Sequence, residues 1–343
     1  MARTYREAGV DREEAARAVD RIAAAAAQTS TPDVLGGVGG FGALFSFDTS
    51  THPDPVLVSS TDGVGTKLKV ALALGRHDTI GIDLVNACVN DIVVTGADPL
   101  FFLDYLALGT LRAETVEEIV GGVAAGCAAA GIPLVGGETA QMPDLYRGDD
   151  YDLAGFVVGV VARADLIDGS AVHAGDVVLG LPASGLHTNG YSLARRVLPE
   201  AIWAEAMPDG SRSIGDALLE PHRSYLDEAR ILRRALRTAG GDVGALAHLT
   251  GGGWEGNVPR TLPERLGVEV ETGSWPVPAI FSLIQKRGDI ADDEMVHTFN
   301  LGIGMTAVVP ADAVEVALDA LPEARRIGRV VELAAGEARV RFL

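Results

Sequence analysis

The feature that most constrains this chain is the run Val56-Leu57-Val58-Ser59-Ser60-Thr61-Asp62-Gly63-Val64-Gly65-Thr66-Lys67, where an apolar β-type stretch ends in a carboxylate, two glycines, a hydroxyl and a lysine. It reads as a buried strand that breaks into a tight turn toward a helix. Gly63 and Gly65 let backbone N–H groups approach an anion that a Cβ would hold away. Asp62 offers the oxygen ligands that Mg²⁺ takes, and Lys67 a charge for a phosphate. The spacing is not that of a P-loop, so a tight turn with a solvated lysine stands beside the phosphate reading for this segment alone.

At 343 residues, 48% of them hydrophobic, the chain is long enough for two cores, and we expect domains over 1–168 and 169–343. The net charge of −19 argues against a nucleic-acid or anionic-membrane surface, since both demand a basic patch. A phosphate ligand must therefore be held locally, and Lys67, Lys69 and Lys286 are the only lysines. No apolar run reaches the roughly 18 residues of a membrane span, and Met1 to Asp20 is rich in Arg, Asp and Glu, which predicts a cytoplasmic protein. Cys88 and Cys127 lie in apolar helix-like stretches without metal spacing, so they read as buried reduced thiols.

Along the chain, residues 11–27 have helical character and lead into the glycine-rich segment Gly36 to Gly42, which reads either as a flexible linker or as a loop that becomes fixed on a ligand, with Val38 and Phe41 as apolar anchors. Gly81 to Gly96 reads as a helix on which Asp83, Asn86 and Asn90 form one polar stripe, turned either to a ligand or to water. A strand over Leu100 to Leu108, a helix over Glu114 to Ala130 and a strand over Ile132 to Val135 follow, the last ending at Gly136-Gly137-Glu138-Thr139. Asp152 to Ala162 is a further buried strand. The second half alternates: a strand over Val177 to Leu181, helices near Tyr191 to Val197 and Leu218 to Leu236, and a strand ending near Leu249. Two loops there, Ser184 to Gly190 and His248 to Gly253, each follow an apolar strand and precede a helix, a setting suited to phosphate. His187 and His248 serve there either as turn-capping residues or as catalysts.

Taken together, the segments Tyr5 to Asp11, Gly36 to Gly42, Thr61 to Lys67, Arg76 to Leu84, Val89-Asn90-Asp91, Pro99 to Tyr105, Gly136 to Ala140, Ser184 to Leu193 and His248 to Gly253 resemble the phosphoribosylformylglycinamidine cyclo-ligases, or aminoimidazole ribonucleotide (AIR) synthetases. The resemblance spans nearly the whole chain, and the ordered set is specific where each member alone is not. It implies a PurM-like α+β fold: an N-terminal α+β domain whose strands join a partner's in a barrel at a homodimer interface, then a C-terminal α/β sandwich. It also implies a ligase reaction in purine biosynthesis, the ATP-dependent closure of the imidazole ring of formylglycinamidine ribonucleotide to give AIR, ADP and phosphate. ATP would phosphorylate the formyl oxygen, an amidine nitrogen would attack the activated carbon, and phosphate would leave.

The resemblance assigns ATP and Mg²⁺ to Gly39, Gly40, Phe41, Gly42, Asp62, Gly63, Gly65, Thr66, Lys67, Asn90, Asp91, Glu138 and Thr139, with Asp62 and Asp91 as metal ligands and the glycine loop as a lid. The ribonucleotide falls to Ser184, Gly185, His187, Asn189, Gly190, Thr250, Gly251, Gly252 and Gly253, and catalysis to Lys67 and to proton transfer by His187 or His248. Gln141, where an acid is expected, and Trp254-Glu255-Gly256-Asn257, where the family is richer in aromatics, depart from the pattern and bear on metal and substrate contacts. A non-catalytic nucleotide-binding regulator is the reading from another class, and ATP binding without substrate-dependent ADP release would distinguish it.

Overall fold

The structure, a computed structural model, describes residues 12–37 and 39–343; the Tyr5 to Asp11 motif and Val38 lie outside them. Two compact units divide the chain, the first running to Ile92 and taking in Ala97–Arg163, the second formed by Val93–Gly96 and Ala164–Leu343. The division expected at Asp168 therefore falls within the second unit.

The first unit is built on β1 (Pro55–Gly63), β2 (Asp98–Leu108), β3 (Leu134–Gln141) and β4 (Tyr151–Ala162), in the order β1-β4-β2-β3. β4 runs antiparallel to both β1 and β2, whereas β2 and β3 are parallel, joined by the helix Ala113–Ala130. Helices Ile80–Val93 and Ala113–Ala130 cross with their backbones in contact. A Cβ on Gly81 would lie 2.0 Å from the Val123 nitrogen, and one on Gly122 would lie 2.4 Å from the Asp78 oxygen. The small residues of the second helix are what permit this approach. Leu84, Val85, Val89, Ile92, Ile119 and Val123 are fully buried between these helices and the inner face of the sheet.

The other face of the sheet is open. Burial alternates residue by residue along β1, Leu57 is 66% exposed, and Phe156 of β4 is 43% exposed. The expectation of a strand buried throughout at Val56 to Val58 is thus corrected: β1 is an edge strand covered on one face only. Gly136 to Thr139 is not a loop beyond a strand but the middle of β3, with Leu103 opposite Gly136 and Leu106 opposite Thr139. The glycines fit the strand because the Asp104 side chain occupies the space where a Gly137 Cβ would stand.

In the second unit, β5 (Val177–Pro182), β6 (Ala245–His248), β7 (Leu266–Val270), β8 (Ile303–Val309), β9 (Arg325–Glu332) and β10 (Val340–Phe342) form a sheet in the order β10-β7-β9-β5-β8-β6. All neighbours are antiparallel except β10 and β7. Trp254, fully buried, stacks on Trp275 at 5.5 Å and meets Phe342 edge-on at 5.6 Å, so the residue that departs from the family pattern serves as core. The single helix expected over Leu218 to Leu236 is two, Ile214–Leu219 and Leu226–Thr238. Pro221 lies between them, and a proline has no N–H to continue a helix.

Candidate functional site

In the first unit, Thr61, Asp62 and Gly63 end β1 opposite Phe156, Gly155 and Ala154, and Gly65 turns the chain with φ +67°. The Asp62 carboxylate accepts a hydrogen bond from the Gly63 N–H at 2.7 Å, and Asp91 accepts one from the Ser60 hydroxyl at 3.1 Å. Burial, then the charges of Asp62 and Asp91, push the Cys88 thiol far above its ordinary pKa, which places both carboxylates around one inert thiol. Asp62 and Asp91 are each half-buried, and two carboxylates from a strand end and a helix suit Mg²⁺, which takes its other ligands from water and phosphate. The polar stripe of helix Ile80–Val93 is buried rather than solvated: Asp83 and Asn90 are fully enclosed and Asn86 nearly so.

Lys67 is placed otherwise than the loop reading implies. Its ammonium is fully buried and donates to Asp83 Oδ1 at 2.8 Å. It stands inside the unit, not on the surface of an anion-binding turn.

The glycine loop and β3 line one cleft of about 680 Å³, formed by Gly39 to Ala43, Leu103 to Tyr105, Val135 to Thr139, Phe156, and Val19 and Ile22 of helix Arg12–Ala27. The loop is the tip of a hairpin closed by the antiparallel bridge between Val34 and Phe45, and Phe41 stands fully exposed on it. Gly39, Gly40, Phe41, Gly42, Glu138 and Thr139 are thereby brought together. Asp62, Gly63, Gly65, Thr66, Lys67, Asn90 and Asp91 lie outside this lining. Asp104 is a cleft residue that spacing did not single out as a ligand. Burial pushes its carboxyl up to about 7, so at neutral pH it is divided between charged and protonated forms.

In the second unit the two predicted loops meet. A Cβ on Gly251 would lie 3.3 Å from Asn189 Oδ1. Asn257 holds the second loop, donating from Nδ2 to the carbonyls of Thr250, Gly251 and Gly253 at 3.3, 3.3 and 2.7 Å. The Thr250 hydroxyl donates to Asn257 Oδ1 at 3.2 Å. Gly190 turns at φ +77°, where a Cβ would strike the Phe299 ring. The helices that follow these loops span only seven and five residues, so loop N–H groups must supply most of any anion binding.

His187, His222 and His248 converge beneath these loops, all buried. His187 adopts φ +61°, a left-handed conformation that histidine tolerates better than most side chains. The Ser184 N–H donates to its Nε2 at 3.3 Å, which puts the ring proton on Nδ1. His187 stacks on His222 with centroids 4.0 Å apart, and His222 Nε2 lies 3.0 Å from His248 Nε2. Gly304 of β8 makes the room: a Cβ there would lie 2.0 Å from Tyr225 Oη and 2.5 Å from His187 Cε1.

Three imidazoles are also a transition-metal donor set. The His187 and His222 planes are inclined by only 17°, however, and near-parallel stacked rings cannot both point an in-plane lone pair at one ion without rotating. The geometry is that of stacked and hydrogen-bonded rings. Among the described residues this is the one group of three histidine, cysteine or carboxylate side chains close enough to share an ion.

A model of the N-terminal domain of AIR synthase related proteins matches residues 42–161, and a model of their C-terminal domain matches residues 173–341. A phosphoribosylformylglycinamidine cyclo-ligase of Desulfitobacterium hafniense is 50% identical, with 92% of this chain and 91% of that protein covered. One of Anaeromyxobacter dehalogenans is 52% identical, with 98% of each covered. Among solved structures, a hydrogenase maturation protein HypE in complex with ATP matches with a TM-score of 0.66 at 19% identity, covering 92% of this chain and 88% of its own. A thiamine-monophosphate kinase from Stenotrophomonas maltophilia matches with a TM-score of 0.67 at 20% identity and 95% coverage of each chain. These two likenesses show the shared fold alone.

Proposed function

The chain belongs to the AIR synthase related family, and from that premise we propose that it closes the imidazole ring of formylglycinamidine ribonucleotide, consuming ATP and releasing AIR, ADP and phosphate in purine biosynthesis. The observation that carries this reading is identity of about half the residues along nearly the full length of cyclo-ligases. An amide oxygen is a poor leaving group; as a phosphate ester it departs when a nitrogen attacks the carbon. The transfer needs charge neutralisation and placement more than covalent help from the protein.

In the first unit the cleft under the Gly39 to Gly42 hairpin takes ATP, with Glu138 and Thr139 on its wall and Phe41 as the apolar tip of a lid that excludes water. Asp62, at the end of β1, and Asp91, next to Asn90 on helix Ile80–Val93, would hold Mg²⁺, which would supply neutralisation of phosphoryl charge. Lys67, as it is placed, contributes through Asp83: it anchors the turn that follows Asp62 and does not itself meet a phosphate.

In the second unit Ser184 to Gly190 and Thr250 to Gly253 hold the ribonucleotide, and His187 or His248 takes up the proton lost by the attacking nitrogen. The open apolar face of the first sheet, with Leu57 and Phe156, supports a homodimer closed by a second copy. No helix among the described residues is long and apolar enough to cross a membrane, and with buried thiols this supports a cytoplasmic place. The test is ADP release by the purified protein with Mg-ATP, with and without formylglycinamidine ribonucleotide, alongside AIR formation. Matched, substrate-dependent products are expected; bound ATP without stimulation would favour a regulator.

A further inference from the structure

We propose that His222 is a positioning residue for proton transfer by His248, one of the two histidines to which that step falls, holding the far end of one proton shared between the two rings. The inference rests on the ring-closing reading. Two imidazole nitrogens 3.0 Å apart have room for one hydrogen between them, so one Nε2 donates and the other accepts. His222 is fixed in three further ways. Its Nδ1 lies 3.4 Å from Thr188 Oγ1, its ring lies on His187, and the preceding Pro221 carbonyl accepts from the Ser184 hydroxyl at 2.5 Å. The segment carrying His222 is thus pinned to the loop carrying His187.

The groups that face it come from three segments. From the 184–190 loop come His187 and Thr188, and from β6 comes His248. From its own segment come Arg223 and Tyr225, the latter with its ring 6.2 Å from that of His187. Arg223 is engaged by Glu228 and Glu323, at 2.6 and 2.7 Å. The Tyr225 hydroxyl donates to the Pro182 carbonyl at 2.9 Å, and burial pushes that phenol far above its ordinary range. His248 is only 6% exposed, so its ring is oriented by protein contacts and not by bulk water. With Nε2 of His222 as acceptor, the Nε2–H of His248 has a fixed partner and its ring is held in one orientation. His248 is then an acceptor of fixed orientation and readiness, and His222 acts through it without touching the substrate.

The test compares the whole protein with His222→Phe, which keeps a ring to stack on His187 but no nitrogen, and with His222→Gln, whose amide reaches toward the place of Nε2. His222→Phe should lower kcat about 10- to 100-fold while the KM for formylglycinamidine ribonucleotide stays within about threefold, and His222→Gln should recover much of the loss. Heavy-nitrogen-labelled histidine, observed by NMR in the unsubstituted protein, should show one of the two Nε2 atoms protonated and the other bare. Protons on both or on neither would overturn the shared proton. Unchanged kcat in an active, folded His222→Phe enzyme would overturn the positioning role alone. Absence of AIR formation by the unsubstituted protein would remove the ring-closing reading and the catalytic role together, with the nitrogen spectra still deciding the pairing.

Discussion

Lys67 and Asp83 form an ion pair of 2.8 Å in which neither side chain reaches solvent. Removing one partner of such a pair leaves a buried uncompensated charge, at a cost of about 3–5 kcal/mol. Lys67→Ala is therefore expected to destabilise the protein by that order, not merely to weaken phosphate binding, and Lys67→Met combined with Asp83→Leu should restore much of the loss. Urea unfolding measures both. A single variant that loses less than about 1 kcal/mol would contradict the buried pair.

Asp104 carries a second expectation. Its folded carboxyl titrates near about 7, against 3.8 for a free aspartate, so folding favours the protonated form. The stabilising contribution is complete below the unfolded pKa and is lost as pH rises through the folded one. Asp104→Asn, which cannot ionise, should gain stability relative to the native protein by about 2–3 kcal/mol between about pH 5 and about pH 8. Thermal unfolding across that range checks it; a constant difference would show that Asp104 is ionised throughout.

The glycine turns after apolar strands were legible because they need positive φ or close backbone approach, and Gly65, Gly190 and Gly252 all sit at positive φ. What escaped was tertiary. Lys67 lies 16 residues from the carboxylate that holds it, so nothing in the turn itself marks it as buried. Gly136 to Thr139 looked like a loop because a glycine pair usually ends a strand; here pairing with β2 continues, and Gly137 yields its space to Asp104. The helical pattern of Leu218 to Leu236 is broken at Pro221, and that proline is the sequence signal for the non-helical segment that carries His222. The 250–253 loop, which approaches Asn189, is held in shape by Asn257, whose role no spacing rule announces.

Gly304 is predicted to be irreplaceable. An alanine methyl there meets Tyr225 Oη at 2.0 Å and His187 Cε1 at 2.5 Å, so the histidine stack must shift. Gly304→Ala should lower kcat at least about 100-fold while costing about 1–3 kcal/mol of stability. Turnover and urea unfolding on one preparation separate the two effects; near-normal kcat would dissociate the histidine geometry from catalysis.

Asn257→Ala should loosen the Thr250 to Gly253 loop by removing the donor to three of its carbonyls. Each lost hydrogen bond is worth about 1 kcal/mol, so the KM for the ribonucleotide should rise roughly tenfold with a smaller change in that for ATP. Steady-state kinetics with each substrate varied in turn decide it. A rise confined to ATP would place this loop at the other substrate.

The most direct measurement uses formylglycinamidine ribonucleotide labelled with heavy oxygen in its formyl group, incubated with the protein and Mg-ATP. Activation of that oxygen by ATP predicts that the label leaves in inorganic phosphate, in step with ADP and AIR. AIR formed with unlabelled phosphate, or ADP released without AIR, would contradict the proposed ring closure.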